Sequence, residues 1–164
     1  MNRKMQELIN LLTEYEPEAA ADIRGSLEYP DLSGTALFYP FWTGTLVFIC
    51  IKGLASYNQP CAAKLCAFHI HEGGQCSGTP TEPFADAGTH FNPENCPHPE
   101  HAGDLPLLLS NHGTAFQMVY TDRFTPRDII GRTAIVHLNA DDYHTQPSGN
   151  AGAMIDCGMI KTLP

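Results

Sequence analysis

At 164 residues and 17.9 kDa, the chain is sized for one domain with a single core, since a chain of about 150 residues buries roughly 70% of its unfolded surface. Apolar residues make up 43% and charged residues 16%, with 14 Gly and 13 Pro, which excludes a disordered chain or a coiled coil and points to a turn-rich globule. The formal charge of −9 argues against nucleic acid as a partner, and the longest apolar run, Leu46 to Ile51, is far short of the ~20 residues needed to cross a bilayer. The unusual feature is a content of eight His and six Cys.

Met5, Leu8, Ile9, Leu12 and Tyr15 recur at the spacing of one helix face, with Lys4, Glu7, Asn10 and Glu14 off it and Pro17 as the stop. This predicts an amphipathic helix of about four turns, in an N-terminal unit over 1–19 that precedes a domain over 20–164. The polar face is mixed to acidic, so packing on the domain or on a second subunit fits better than a membrane surface. Arg3 and Lys4 are followed by Glu7, Asn10 and Glu14 with no small-residue cleavage site, a poor secretory signal, and the expected location is the cytoplasm. The six Cys pull the other way, toward an oxidising compartment.

From residue 20 the pattern changes to short β-type segments between Gly, Pro, Asn and Asp clusters, the signature of an all-β sandwich or barrel. The expected strands are Asp22 to Tyr29, Thr35 to Trp42, Thr45 to Lys52, Leu65 to His71, Thr114 to Thr121, Thr133 to Leu138 and Ala153 to Ile160. Trp42-Thr43-Gly44-Thr45 is tight enough for a hairpin. Between Glu72 and Gly113 lies an aperiodic stretch rich in Gly, Pro, His, Asn and Asp, too long for an idle loop in a small domain.

His69-Ile70-His71 falls in the strand Leu65 to His71, where a period of two sends both imidazoles to one face and Phe68 and Ile70 to the core. Such a pair suits Cu(II), Zn(II) or Fe(II), although an H-x-H pair also arises by chance on exposed strands. The long loop adds His90, His98, His101 and Asp104, three imidazoles and one carboxylate, a set that matches tetrahedral zinc and would tie the loop down. His137, in Ala134-Ile135-Val136-His137-Leu138, would by itself be a core histidine; beside His69 and His71 it reads better as a further ligand. A cupin also uses H-x-H, but its Glu comes several residues after the pair, whereas Glu72 follows at once here.

Taken in order, Phe68-His69-Ile70-His71-Glu72, Ala87-Gly88-Thr89-His90-Phe91-Asn92-Pro93, His101-Ala102-Gly103-Asp104-Leu105, Gly131-Arg132-Thr133-Ala134-Ile135-Val136-His137, Ala140-Asp141-Asp142, and Gly149-Asn150-Ala151-Gly152 with Cys157-Gly158 resemble the copper/zinc superoxide dismutase family. The resemblance runs from about Asp22 to Ile160. It implies an eight-stranded Greek-key β-barrel, with a further short strand near Asp104 to Leu109 and long metal-binding loops. It implies copper on His69, His71, His90 and His137, zinc on His90, His98, His101 and Asp104, and His90 as the shared bridge. Asp141 would orient one histidine of each metal, and Cys76 and Cys157 would form a disulfide. Superoxide would be the substrate, converted to dioxygen and hydrogen peroxide by Cu(II)/Cu(I) cycling, with zinc structural. His90 and His137 would be the catalytic ligands, His90 also handling the proton. A homodimer is common in the family.

The family carries an Arg two residues after the Gly-Asn-Ala-Gly run, where its charge draws the anion in; Met154 stands there here. Asp156 is expected to add a negative charge nearby, so slower dismutation with weakened guidance is the expectation. Ala67 replaces a usual Gly, a small change. Cys50 and Cys66 lie in strand patterns and read as buried thiols, whereas Cys61 and Cys96, both in loops, are candidates for a second disulfide holding the zinc loop. His112 and His144 have no ligand role; His144, in the loop expected at the copper entrance, is placed to attract an anion weakly. Arg132 reads as structural. The competing function is a non-catalytic copper/zinc-binding relative that stores or delivers metal. A zinc hydrolase is more distant, because no general base pairs with an open zinc position.

Overall fold

The computed structural model describes residues 14, 16–54 and 64–163. The helix expected within 1–19 and the loop cysteine Cys61 therefore lie outside the described residues, apart from an exposed, helical Glu14. Eight strands follow: β1 (Ala19–Gly25), β2 (Ser33–Phe41), β3 (Gly44–Lys52), β4 (Leu65–His71), β5 (Asp104–Asn111), β6 (Thr114–Thr121), β7 (Thr133–His137) and β8 (Met154–Thr162). They pair antiparallel as a closed barrel in the order β1-β2-β3-β6-β5-β4-β7-β8. The crossovers in that order are the Greek-key connections expected of the family.

Alternation explains the strands. Ala36 and Phe38 on β2, Val47, Ile49 and Ile51 on β3, and Phe68 and Ile70 on β4 are buried in one continuous core, while their neighbours face outward. The expected strand at Asp22 to Tyr29 is instead Ala19–Gly25. Ala19 and Ala21 are small inward residues of β1, with Ala19 registered against Phe38, and Gly25 ends the strand at a turn closed by Tyr29 N–H donating to the Ser26 carbonyl at 2.9 Å. A single helical turn at Pro126–Ile129, capped reciprocally by Thr125 and Asp128, was not evident in the sequence pattern. The seams differ in extent: β2 and β3 pair along their whole length, whereas β5 and β6 pair only at Ser110↔Ala115 and Asn111↔Thr114.

Phe68 and Ile70 point into the barrel, so His69 and His71 stand on its outer surface. The stretch 72–103 covers that surface and is fastened there by backbone bonds. Phe91 N–H donates to the Ile70 carbonyl at 2.8 Å, Ile70 N–H to Gly103 at 2.9 Å and Glu72 N–H to Thr89 at 2.9 Å. A disulfide between Cys76 and Cys157, Cα atoms 5.6 Å apart, links the stretch to β8. Arg132 donates to the Glu72 carbonyl at 3.1 Å and stacks over the Phe91 ring at 3.9 Å, a structural role. Cys66 is buried, and burial raises its thiol pKa; Cys50 is only half-buried on the outer face, because its register partner Phe116 points outward too. Cys96 is a free thiol, so the described residues contain no second disulfide on the zinc loop.

Asp156 places a carboxyl in the barrel interior, where the pattern is otherwise largely apolar. Its register partners are Gly25 and Val136, it is fully buried, and neither carboxyl oxygen makes a well-directed hydrogen bond. Burial pushes its carboxyl up to about 7, with the Cys157 backbone N–H and Arg24 offsetting only part and Asp22 adding to the rise. The folded protein therefore holds this proton more tightly than the unfolded chain, with its ordinary carboxyl near 4. Stability from this group is full below about pH 4 and is lost as pH rises through about 7, a difference of roughly 4 kcal/mol. In thermal melts between pH 4 and 8, Asp156→Ala should remove most of that decline and melt higher than the wild type at pH 8; an unchanged slope would show that Asp156 is not its source.

Candidate metal centre

Three strands and the stretch that covers them converge on the outer face of the barrel. His69 and His71 come from β4, His137 from the end of β7, Asp104 from the start of β5 directly across from His69, and His90, His98 and His101 from the covering stretch. A bulge between Val136 and His137 lies beside the site, and His90 bridges to His71 as an isolated strand pair. The result is two groups of buried ligand atoms, His69, His71, His90 and His137 in one and His90, His98, His101 and Asp104 in the other, with the atoms of each group within 4.8 Å of one another. His90 belongs to both.

Hydrogen bonds fix the ring tautomers. His69 Nε2 and His98 Nε2 donate to the two oxygens of Asp141, each at 2.9 Å, which leaves both Nδ1 atoms unprotonated. His71 Nδ1 donates to the Gly88 carbonyl at 2.9 Å and His137 Nδ1 to the Gly152 carbonyl at 3.1 Å, which leaves both Nε2 atoms as acceptors. Those two Nε2 atoms nevertheless face each other at 3.2 Å. His69 Nδ1, His90 Nε2 and His98 Nδ1 are buried without a hydrogen-bond partner, although His98 Nδ1 lies 3.0 Å from Asp104 Oδ2.

Lone pairs packed against lone pairs in a dry site are repulsive unless a cation sits between them. Protonation is a poor substitute. Burial lowers His69, drives His71 well below the usual imidazole range and takes His137 to about 3, with neighbouring histidines adding to each. Burial works to raise Asp104 and Asp141 as well, but hydrogen bonds and charge win. His90 holds Asp104 below its usual range, and His69, the Tyr143 backbone N–H and His98 do the same for Asp141. Four imidazoles suit copper, and three imidazoles with one carboxylate suit tetrahedral zinc. The donor sets fit two metal ions.

Several parts of this arrangement rest on backbone atoms. Gly88 and Gly152, at φ of 71° and 75°, supply the carbonyls that orient His71 and His137. Gly149 packs so closely on Asp141 and His98 that a Cβ there would displace both. Glycine-rich loops hinted at close approach, but a carbonyl has no side-chain letter to read.

Above the first group opens a cavity of about 890 Å³, with His71, His90 and His137 in its lining and Phe84, Glu82 and Met154 on its walls. No Lys or Arg is among its described lining residues. Met154 packs with Phe84, Ala87 and the disulfide. The carboxyl of Asp156, expected to add negative charge near this opening, instead points into the barrel, where burial favours its neutral form. His144 does not line the cavity either; it is exposed, and its Nδ1 donates to the Asp142 carbonyl at 2.7 Å. His112 sits in the β5–β6 turn at φ of 48°, away from both groups.

A closed Greek-key barrel with two histidine groups sharing one imidazole on its outer face defines a dinuclear metalloprotein. A family model described as copper/zinc superoxide dismutase matches residues 33–160. Superoxide dismutase [Cu-Zn] of Deinococcus radiodurans is 33% identical over 150 residues, covering 80% of this chain and 79% of that protein. Superoxide dismutase [Cu-Zn] A of Xenopus laevis is 37% identical over 130 residues, covering 70% and 78%. Among solved structures, the Cu/Zn superoxide dismutase from Brucella abortus superposes with a TM-score of 0.73 at 27% identity, covering 87% of this chain and 99% of that one. The chain belongs to the copper/zinc superoxide dismutase family, oxidoreductases that bind copper and zinc.

If Asp141 sets the two rings, Asp141→Ala should weaken divalent metal binding by about 10- to 100-fold in chelator competition, and Gly149→Ala should weaken it in the same direction. Wild-type affinity in both variants would show that the rings need no such support.

Proposed function

We propose that the protein is a working superoxide dismutase in which His69, His71, His90 and His137 hold copper and His90, His98, His101 and Asp104 hold zinc. The observation that carries this reading is His90, whose Nδ1 lies 2.7 Å from Asp104 in one group while its buried Nε2, without a hydrogen-bond partner, faces the other. When bound, copper supplies the one-electron exchange that turns two superoxide ions and two protons into dioxygen and hydrogen peroxide. The chain's own part is to hold ligands and protons. Asp141 keeps His69 and His98 in fixed tautomers, the Gly88 and Gly152 carbonyls do the same for His71 and His137, and His90 Nε2 is the ring atom best placed to hold a proton for the departing peroxide. His71 and His137 are poor proton carriers, because burial keeps both neutral.

Anion delivery is the weak element. The cavity has Glu82 and Met154 on its walls and no cation among its described lining residues, in a chain of net charge −9. The same observation favours a second reading, a metal-binding relative without turnover. The two separate in an assay of copper- and zinc-loaded protein: dismutation clearly above that of the same amount of free copper supports the enzyme, and none above it overturns it. Met154→Arg should raise the rate about tenfold at low ionic strength, with the gain shrinking as salt is added. A variant no faster than the wild type would refute the guidance account while leaving the dismutase reading intact.

A further inference from the structure

On the side of the barrel away from the histidines, the outer face of β2, β3 and β6 is apolar where a solvent-facing sheet would be polar. Register places Tyr39 beside Leu46 and Leu46 beside Tyr120, and Leu37 beside Phe48 and Phe48 beside Met118, all pointing away from the core. Tyr39 and Leu46 are nevertheless only 8% and 5% exposed, and they form a hydrophobic cluster separate from the barrel interior. Side chains on the convex side of a barrel reach such values only when something lies over them.

The chain itself arrives at that spot. Glu18 N–H donates to the Phe38 carbonyl at 3.0 Å, fixing the start of β1 beside the residue that precedes Tyr39. Pro17 is buried, and Glu16 is close enough to Tyr39 to add its charge to the burial that raises the phenol's pKa. The barrel interior is filled, so the residues before Pro17 have only the outer side to run over. Their sequence carries one apolar stripe, Met5, Leu8, Ile9, Leu12 and Tyr15, and Glu14, off that stripe, is helical and exposed. As a helix, residues 4–15 would be about 18 Å long. That length exceeds the roughly 10 Å between the outer two of three adjacent strands.

We propose that residues 4–15 fold back as an amphipathic helix across β2 and β3 and seat Leu8, Ile9 and Leu12 on Tyr39, Leu46 and Phe48. That part of the sheet is thereby covered by its own chain, while Phe116, Met118 and Tyr120 on β6 stay exposed beside it. Because β4 and β7 lie across the barrel from β2 and β3, the metal centre is independent of this contact.

Hydrogen exchange on the full-length, metal-loaded protein tests the contact. Amides of residues 7–15 should exchange at least tenfold more slowly than in a free peptide of residues 1–16, at every protein concentration. Leu8→Asp with Leu12→Asp should abolish that protection and increase binding of a hydrophobic dye, while metal content stays at the wild-type level. Exchange as fast as in the free peptide would overturn the proposal. So would protection that appears only at concentrations where ultracentrifugation shows a dimer, because a second copy would then be the occupant. The wild-type measurement decides the matter even if the double variant fails to fold.

Discussion

The carboxylate of Asp141 is the constraint on which the metal centre depends. It accepts one hydrogen bond from His69 and one from His98, so a single side chain decides which nitrogen of each ring remains a ligand. One ring belongs to the all-nitrogen group and the other to the group containing Asp104. A carboxylate in this position normally faces a desolvation penalty, but here three donors, the third being the Tyr143 backbone N–H at 2.7 Å, keep it ionised. The barrel's role is to supply a floor stiff enough for this geometry. Phe68 and Ile70, packed in the core, hold β4 so that His69 and His71 cannot turn away.

Much of this was legible in the letters. The alternation of Phe68, His69, Ile70 and His71 gave the strand, its inner and outer faces and the pair of imidazoles, because period two leaves no other assignment. The cluster His90, His98, His101 and Asp104 announced itself by residue type, and the order of motifs supplied the family. Three things were hidden. Asp156 reads as a charge beside the site, and only register shows that it faces inward opposite Val136 and Gly25. The start of β1 reads as a linker, since Ala19 and Ala21 are too small to register as a hydrophobic stripe. The Gly88 and Gly152 carbonyls are invisible because every residue has one and only the folded loops aim them.

The surroundings of the metal centre divide its chemistry from its substrate supply. The ligands are buried and held by the scaffold, with burial keeping His71 and His137 neutral, which sets what the site can bind. The cavity above them decides what reaches it, and there Met154 packs into the apolar cluster around the disulfide instead of presenting charge. Selection among relatives of this fold can therefore act on the wall without disturbing the floor, because Met154 belongs to β8 and to neither ligand group.

The short seam between β5 and β6 has a mechanical consequence. Every other seam of the barrel keeps at least four register pairs, but here pairing is confined to the end next to the turn, at Ser110↔Ala115 and Asn111↔Thr114. Beyond it Pro106 has no N–H to give, and the gap is spanned by the Gln117 side chain donating to the Pro106 carbonyl at 3.3 Å. The barrel is thus a cylinder with one lightly stitched edge, and thermal breathing should start as the two sides of that stitch part. Because β5 begins with Asp104, a metal bound there clamps the far end of the same strand, and its loss loosens the seam from the other side.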